Sequence, residues 1–246
     1  VTGLMKAATN AGLAVDDLTA QKTNKAEFEK LLTSIRDAAP LPTLSGTVDA
    51  YPIDAKLIIA NHFAYSPRPL LQSYQSYTPA LLNVDSEHLT AADAPGYLLL
   101  SGKPWEDNWL PALNDGPSLP IIMSNYEQEK LVSHQIVMKR RKDAQAYSLN
   151  PLKEFSARMG EPIDVSEYRG KLLWAQITPQ LSLMGELARF VYHVLPLSIA
   201  VELQNHDVKN FVAPRALLAE GFLISPCFDD SAQLSKVLGN DPQAWQ

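Results

Sequence analysis

Apolar positions in the first 45 residues recur at helical rather than alternating spacing. Phe28, Leu31, Leu32 and Ile35 make one stripe, Thr23 or Asn24 can cap it, and Pro40 and Pro42 close it. The 3.6-residue period predicts a helical lead-in over 1–45, broken near Asn10 to Gly12, whose apolar side docks on the remaining chain. The pattern changes at Gly46. Val48, Tyr51, Ile53, Leu57, Ile58 and Ile59 stand in β-prone surroundings divided by a turn at Asp54 to Lys56, so two strands or a hairpin are expected. Thr78 caps a short helix carrying Ala80, Leu81, Leu82 and Leu89, and Gly96 then leads into an apolar strand, Tyr97 to Leu100.

Asn114-Asp115-Gly116 is a strong turn signal, followed by a short helix from Ser118 to Tyr126 with Pro120 near its start. Glu129 to Lys139 reads as one strand, and the basic run Lys139 to Lys142 as its solvated end. Polar residues 144–150 mark the candidate boundary between modules. Beyond it, Lys171 to Ile177, Leu197 to Leu203, Val208 to Val212 and Gly221 to Ser225 are short apolar runs spaced for an antiparallel sandwich, with Asn205-His206-Asp207 as a hairpin turn. Leu183, Leu187, Phe190, Val191 and Val194 fit a helix or a strand equally well. The expected fold class is α+β: a helical lead-in over 1–45, a small mixed α/β module over 46–150 and a C-terminal antiparallel β-sandwich over 151–246.

With 46% hydrophobic and 20% charged residues among 246, the chain is too apolar to be disordered, and no window reaches 18 uninterrupted apolar residues. A net charge of −6 removes the global electrostatic reason to bind nucleic acid. The single Cys227 excludes an internal disulfide framework and a cysteine-based structural zinc site, and it reads as a small buried packing residue behind an apolar strand. The 11 glycines permit no dinucleotide fingerprint, P-loop or nucleophile elbow, and no two of the five histidines are spaced i, i+4. Neither a cofactor nor a metal is expected. Val1 is preceded by no initiator Met or leader pattern, which suggests a piece of a longer or processed protein.

Candidate chemistry concentrates between Tyr65 and Thr78. Tyr65, Arg68, Gln72, Tyr74 and Tyr77 gather aromatic faces and planar hydrogen-bonding groups among prolines, the residue types that stack on a pyranose and bond its hydroxyls or an acid. The alternative is a stiff loop whose tyrosines cover the sheet and whose Arg68 bonds main-chain carbonyls. Carboxylates are plentiful at Asp49, Asp54, Asp85, Glu87, Glu106, Asp107 and Asp115, but acid/base catalysis needs a defined separation in space that the sequence does not supply.

Several motifs carry a resemblance: Leu41-Pro42, Gly46-Thr47-Val48-Asp49, Pro67-Arg68-Pro69, Gln72-Ser73-Tyr74, Tyr77-Thr78-Pro79, Ala94-Pro95, Leu110 to Leu113, Asp115-Gly116 and Gly221 to Pro226. Together they resemble an extramembrane domain of uncharacterised bacterial polytopic membrane proteins sometimes labelled glycosyltransferase-like, a likeness running from about 41 to 226. It implies an extracytoplasmic domain, periplasmic or cell-surface, whose partner is the transmembrane part of the same polypeptide. It carries over no catalytic residue and favours strand for 183–194. The leading expectation is a non-catalytic or accessory domain recognising glycan in cell-envelope polysaccharide metabolism. A glycan-processing transferase or hydrolase with an acid/base carboxylate between 49 and 115, and a purely structural interaction module, are the alternatives.

Overall fold

The helical stripe of the lead-in is formed over residues 24–38 (α1), although only Leu32 and the half-buried Ile35 turn inward while Phe28 and Leu31 stay exposed. The computed structural model describes residues 24–52, 54–76, 78–103, 108–182, 185, 197–239 and 241, so the earlier helix and, but for Gly185, the ambiguous 183–194 stretch lie outside the described residues.

After α1 the chain enters β1 (Thr47–Tyr51), α2 (Ala55–Ala60) and β2 (Ala64–Tyr65). The expected second strand at Leu57 to Ile59 is thus a helix. A six-residue apolar run does not reveal its period, and here it must cross over, because β1 and β2 pair in parallel. Leu57, Ile58 and Ala60 turn onto the sheet. The helix α3 (Pro79–Thr90) starts where Thr78 predicts, its Oγ1 accepting the Leu81 N–H at 3.3 Å, and leads to β3 (Tyr97–Leu100), which joins β1 in parallel on the side away from β2.

A 3-10 turn, Pro111–Leu113, and α4 (Ser118–Asn125) precede β4 (Tyr126–Val132) and β5 (Gln135–Arg140). The single strand expected over 129–139 is a hairpin. Ser133 and His134 both sit at positive φ, 50° and 62°, in the two-residue loop that antiparallel twist favours. Neither residue carries the usual Asn-Gly signature, so the alternation seemed continuous. The five-stranded sheet has the order β2-β1-β3-β5-β4. Nor is the basic run simply a solvated end. Arg140 donates to the Ala91, Ala92 and Ala94 carbonyls behind α3, and Arg141 to the Tyr126 carbonyl and the Glu127 carboxylate.

The C-terminal strands pair antiparallel, β6 (Leu173–Ala175) with β9 (Phe222–Ser225) and β7 (Leu197–Glu202) with β8 (Val208–Ala213), the latter around His206 at φ 66°. Two short helices complete this part, α5 (Arg215–Leu218) and α6 (Ser231–Leu238), the latter capped by Asp230. The whole is a mixed α/β structure, and no helix among the described residues is long and apolar enough to cross a membrane.

Alternation along the central strands divides the core in two. Val48, Ala50, Leu99 and Val137 face α2, while Tyr51, Leu98, Leu100, Ile136 and Met138 face the other way, onto Leu89 of α3, Ile122 of α4 and Leu234 of α6. Phe211 and Phe222 from the C-terminal strands belong to this second cluster, so one apolar core draws on residues from both sides of position 150.

The C-terminal part meets the Asp115 turn at Gly116, where an added Cβ would run into the Gly221 carbonyl oxygen. Gly116→Ala is therefore expected to lower stability by about 1–3 kcal/mol, since backbone cannot yield as a side chain does. Gly46→Ala, which meets only the Tyr97 ring at ordinary contact distance, should change it by less than about 0.5 kcal/mol. Chemical denaturation of the two variants checks the contrast.

Candidate functional site

The alternation that sends Val48 and Ala50 to one face of β1 sends Asp49 and Tyr51 to the other. Asp49 is 1% exposed within the sheet, a costly place for a carboxylate unless something answers its charge. The answer is Arg68. Beyond β2 the Ser66 N–H continues the parallel ladder to the Val48 carbonyl at 3.0 Å, and the chain then passes the carboxyl end of β1, burying Arg68 to 2% exposure. Its Nη2 donates to the Ala50 and Pro52 carbonyls at 2.5 Å each, and its Cζ lies 3.5 Å from the centroid of the Tyr51 ring.

The same passage is pinned from below by α3. Asp85 accepts the Leu70 N–H at 3.1 Å and the Ser76 hydroxyl at 3.4 Å, while the Ser73 hydroxyl donates to the Pro52 carbonyl at 3.4 Å. Asp115 approaches from the turn before α4, held at φ 54° and 1% exposed. Asp49, Asp85 and Asp115 thus all lie within the field of one guanidinium.

Burial dominates their titration. It raises Asp49 and Asp85 above the ordinary carboxylate value despite the opposing pull of Arg68, and it pushes Asp115 up to about 7 against Ser118 and Arg68, with Asp85 adding to the rise. Ser118 stands against the Asp115 carboxylate without closing a well-formed hydrogen bond. Tyr51 is likewise raised well above its usual value, first by burial.

These groups meet where the sheet changes direction. From β1 the chain turns to α2 on one face, whereas from β3 it passes to α4 on the other, so the carboxyl ends of β1 and β3 flank a crevice of the kind where open α/β sheets hold ligands. A cavity of about 30 Å³ occupies it, lined by Tyr51, Pro52, Ser101, Asn114, Asp115 and Phe228, among others. That is room for one water or one hydroxyl group. The Tyr51 hydroxyl, both ends of the Asn114 amide, both Asp115 oxygens, Asp49 Oδ2, Ser118 Oγ, and Arg68 Nε and Nη1 are buried without a hydrogen-bond partner among the described residues. Of these, Tyr51, Asn114 and Asp115 line the cavity, whereas Asp49, Arg68 and Ser118 stand behind it.

Of the five residues singled out in sequence, Arg68 lies at the heart of this centre, turned inward rather than toward solvent. Tyr65 is half-buried on β2, its hydroxyl raised by burial and by Asp49. Gln72 precedes the turn Ser73–Gln75 and accepts the Gln75 N–H through its carbonyl. Tyr77 and the Tyr74 side chain lie outside the described residues. Arg68 thus does not stand at an open edge, and two of the three aromatic members of the expected platform are not among the described side chains. Sequence reasoning gives Tyr51, Asn114 and Ser118 only structural places, in a strand, a turn and a helix start, and it counts the three aspartates without joining them. The available signal was Asp49, a charge at an inward position of an apolar strand. Cys227 is half-buried, and burial pushes its thiol up to about 11. No group of three or more His, Cys, Asp or Glu suited to a metal occurs among the described residues. No family model, curated protein or solved structure matches this chain.

Two outcomes follow from the burial of these charges. Arg68→Met should destabilise the fold by about 3 kcal/mol or more, because it strands buried acids without their cation, and pairing it with Asp49→Asn should restore part of the loss in urea unfolding. For Asp115 the folded pKa of about 7 exceeds the ordinary 3.8, so the folded state binds the proton more tightly. Its stabilising contribution is complete below about pH 4 and is lost as pH rises to about 7, a fall on the order of a few kcal/mol. Asp115→Asn should flatten that part of the stability profile.

Proposed function

We propose that the chain is an accessory, non-catalytic extracytoplasmic domain of a bacterial polytopic membrane protein, recognising glycan in cell-envelope polysaccharide metabolism. One observation carries the glycan reading: the crevice between β1 and β3 holds an interleaved set of donors and acceptors with no partners among the described residues. A sugar hydroxyl both gives and takes a hydrogen bond, and so answers such a set. An anionic ligand would meet Asp115 in the cavity wall, and an ammonium would meet the field of Arg68 that already acts on Asp115. The cavity admits one hydroxyl group, leaving the ring outside it beside the half-buried Pro52.

Arg68 acts here as a positioning residue, fixing the Tyr51 ring and the loop after β2. The motif likeness supports the envelope setting and a partner in the transmembrane part of the same polypeptide, and the net charge of −6 argues against nucleic acid. The pairs β6–β9 and β7–β8 are the parts of the C-terminal sandwich in this reading.

Asn114 makes the direct test, because its side-chain amide has no partner to lose among the described residues. On an array of envelope-type oligosaccharides, Asn114→Ala should weaken binding by roughly tenfold or more while the melting temperature holds, the cost of leaving a ligand hydroxyl unanswered. Absence of binding by the wild-type chain to every glycan presented would contradict the reading.

The enzymatic alternative has its own support in Asp115, whose pKa of about 7 lets a carboxyl hold a proton at neutral pH and donate it to a leaving oxygen. It requires turnover of an oligosaccharide by the wild type that Asp115→Asn lowers by a factor of about 100 or more. Binding without release of sugar would leave the accessory reading in place.

A further inference from the structure

One long excursion has no role in the centre at β1 and β3. The chain leaves the body near Gln145, whose N–H donates to the Ser124 carbonyl at 3.0 Å, and rejoins it at β6, with a single 3-10 turn, Ser166–Tyr168, between. Every residue from 142 to 167 is exposed, including Tyr147, Leu149, Leu152, Phe155, Met159 and Ile163. Connections longer than about 12–15 residues without regular structure are uncommon in compact domains and usually functional or disordered. Large apolar residues recurring every two to four positions are not the composition of a solvated linker.

A receptor for such an arm exists elsewhere on the fold. A groove of about 720 Å³ opens between α1 and β2, floored by Leu41, Leu44 and Phe63, with Arg36, Asn61 and His62 at its rim. It is lined by no carboxylate among the described residues. The arm presents Leu152 and Phe155 with Glu154 between them, an apolar pair with an acid whose charge complements the half-buried Arg36, held at the rim by the Ala60 carbonyl. Arm residues 144–172 carry four basic and four acidic side chains, so the arm approaches a body of net charge −6 without repulsion of its own.

We propose that the arm of one copy docks in the groove of a second copy, and reciprocally, forming a two-fold dimer by arm exchange. Two arms, each bringing six large exposed apolar side chains, remove on the order of 1,200 Å² from water, the lower edge of a stable specific interface. The exchange closes on itself, as an isologous contact must. This inference is independent of the glycan reading.

Sedimentation equilibrium of the 246-residue chain across the micromolar range tests it. The wild type should dimerise, and Leu152→Glu and Phe155→Glu, both at exposed positions, should weaken the dimer at least about tenfold with unchanged melting. In a Cys227→Ser background, Phe155→Cys combined with His62→Cys should oxidise to a disulfide between chains. A monomer throughout the range, a dimer indifferent to Phe155→Glu, or a disulfide within one chain would each overturn the proposal.

Discussion

A buried arginine organises this fold. Arg68 reaches the interior because the segment after β2 passes over the carboxyl end of β1, held there by Ser66, by Ser73 on the Pro52 carbonyl and by the Arg68 guanidinium itself. The cation in turn lets Asp49 occupy an inward position on β1, Asp85 hold the loop from α3, and Asp115 close the turn before α4. Three elements far apart in sequence are thereby tied to one charge. A well-packed apolar replacement of the whole charged cluster is often no less stable, so stability alone does not explain charges here.

What distinguishes the centre from an ordinary internal ion pair is its incomplete pairing. Arg68 uses Nη2 on two carbonyls and leaves Nε and Nη1 without partners among the described residues, while Tyr51, Asn114 and Asp115 line a cavity only large enough for one hydroxyl. The sheet topology gives the same place significance. The crossovers from β1 and β3 diverge there, opening the edge of the sheet at a point where the polar groups are most concentrated. Phe228 and Leu234 of α6 add apolar walls to it, beside which a hydrogen bond counts for more than it would in water.

Much of the local structure was legible in the chain. Thr78 marks the start of α3, the Asn205 to Asp207 turn joins β7 to β8, and Tyr97 to Leu100 is a buried strand as its apolar run implies. Two errors share a cause. The Leu57 to Ala60 run and the Ser133-His134 loop are decided by pairing partners distant in sequence: a parallel neighbour forces a helix in one case and an antiparallel neighbour forces a turn in the other. The site was legible only in part for the same reason. Arg68 stood out by its proline neighbours, but nothing local says that Asp49, Asp85 and Asp115 converge on it, or that it points inward rather than to a ligand at the surface.

A working polar site between β1 and β3, as proposed, differs from a purely structural cluster in how Asp115 titrates and answers a ligand. The carboxyl carbon of Asp115, followed by NMR as pH is varied, reports on it directly. The account predicts a titration midpoint near 7 in the free protein and a displaced midpoint when a bound saccharide saturates the crevice. A midpoint in the ordinary carboxylate range near 3.8, unmoved by any saccharide, would contradict it.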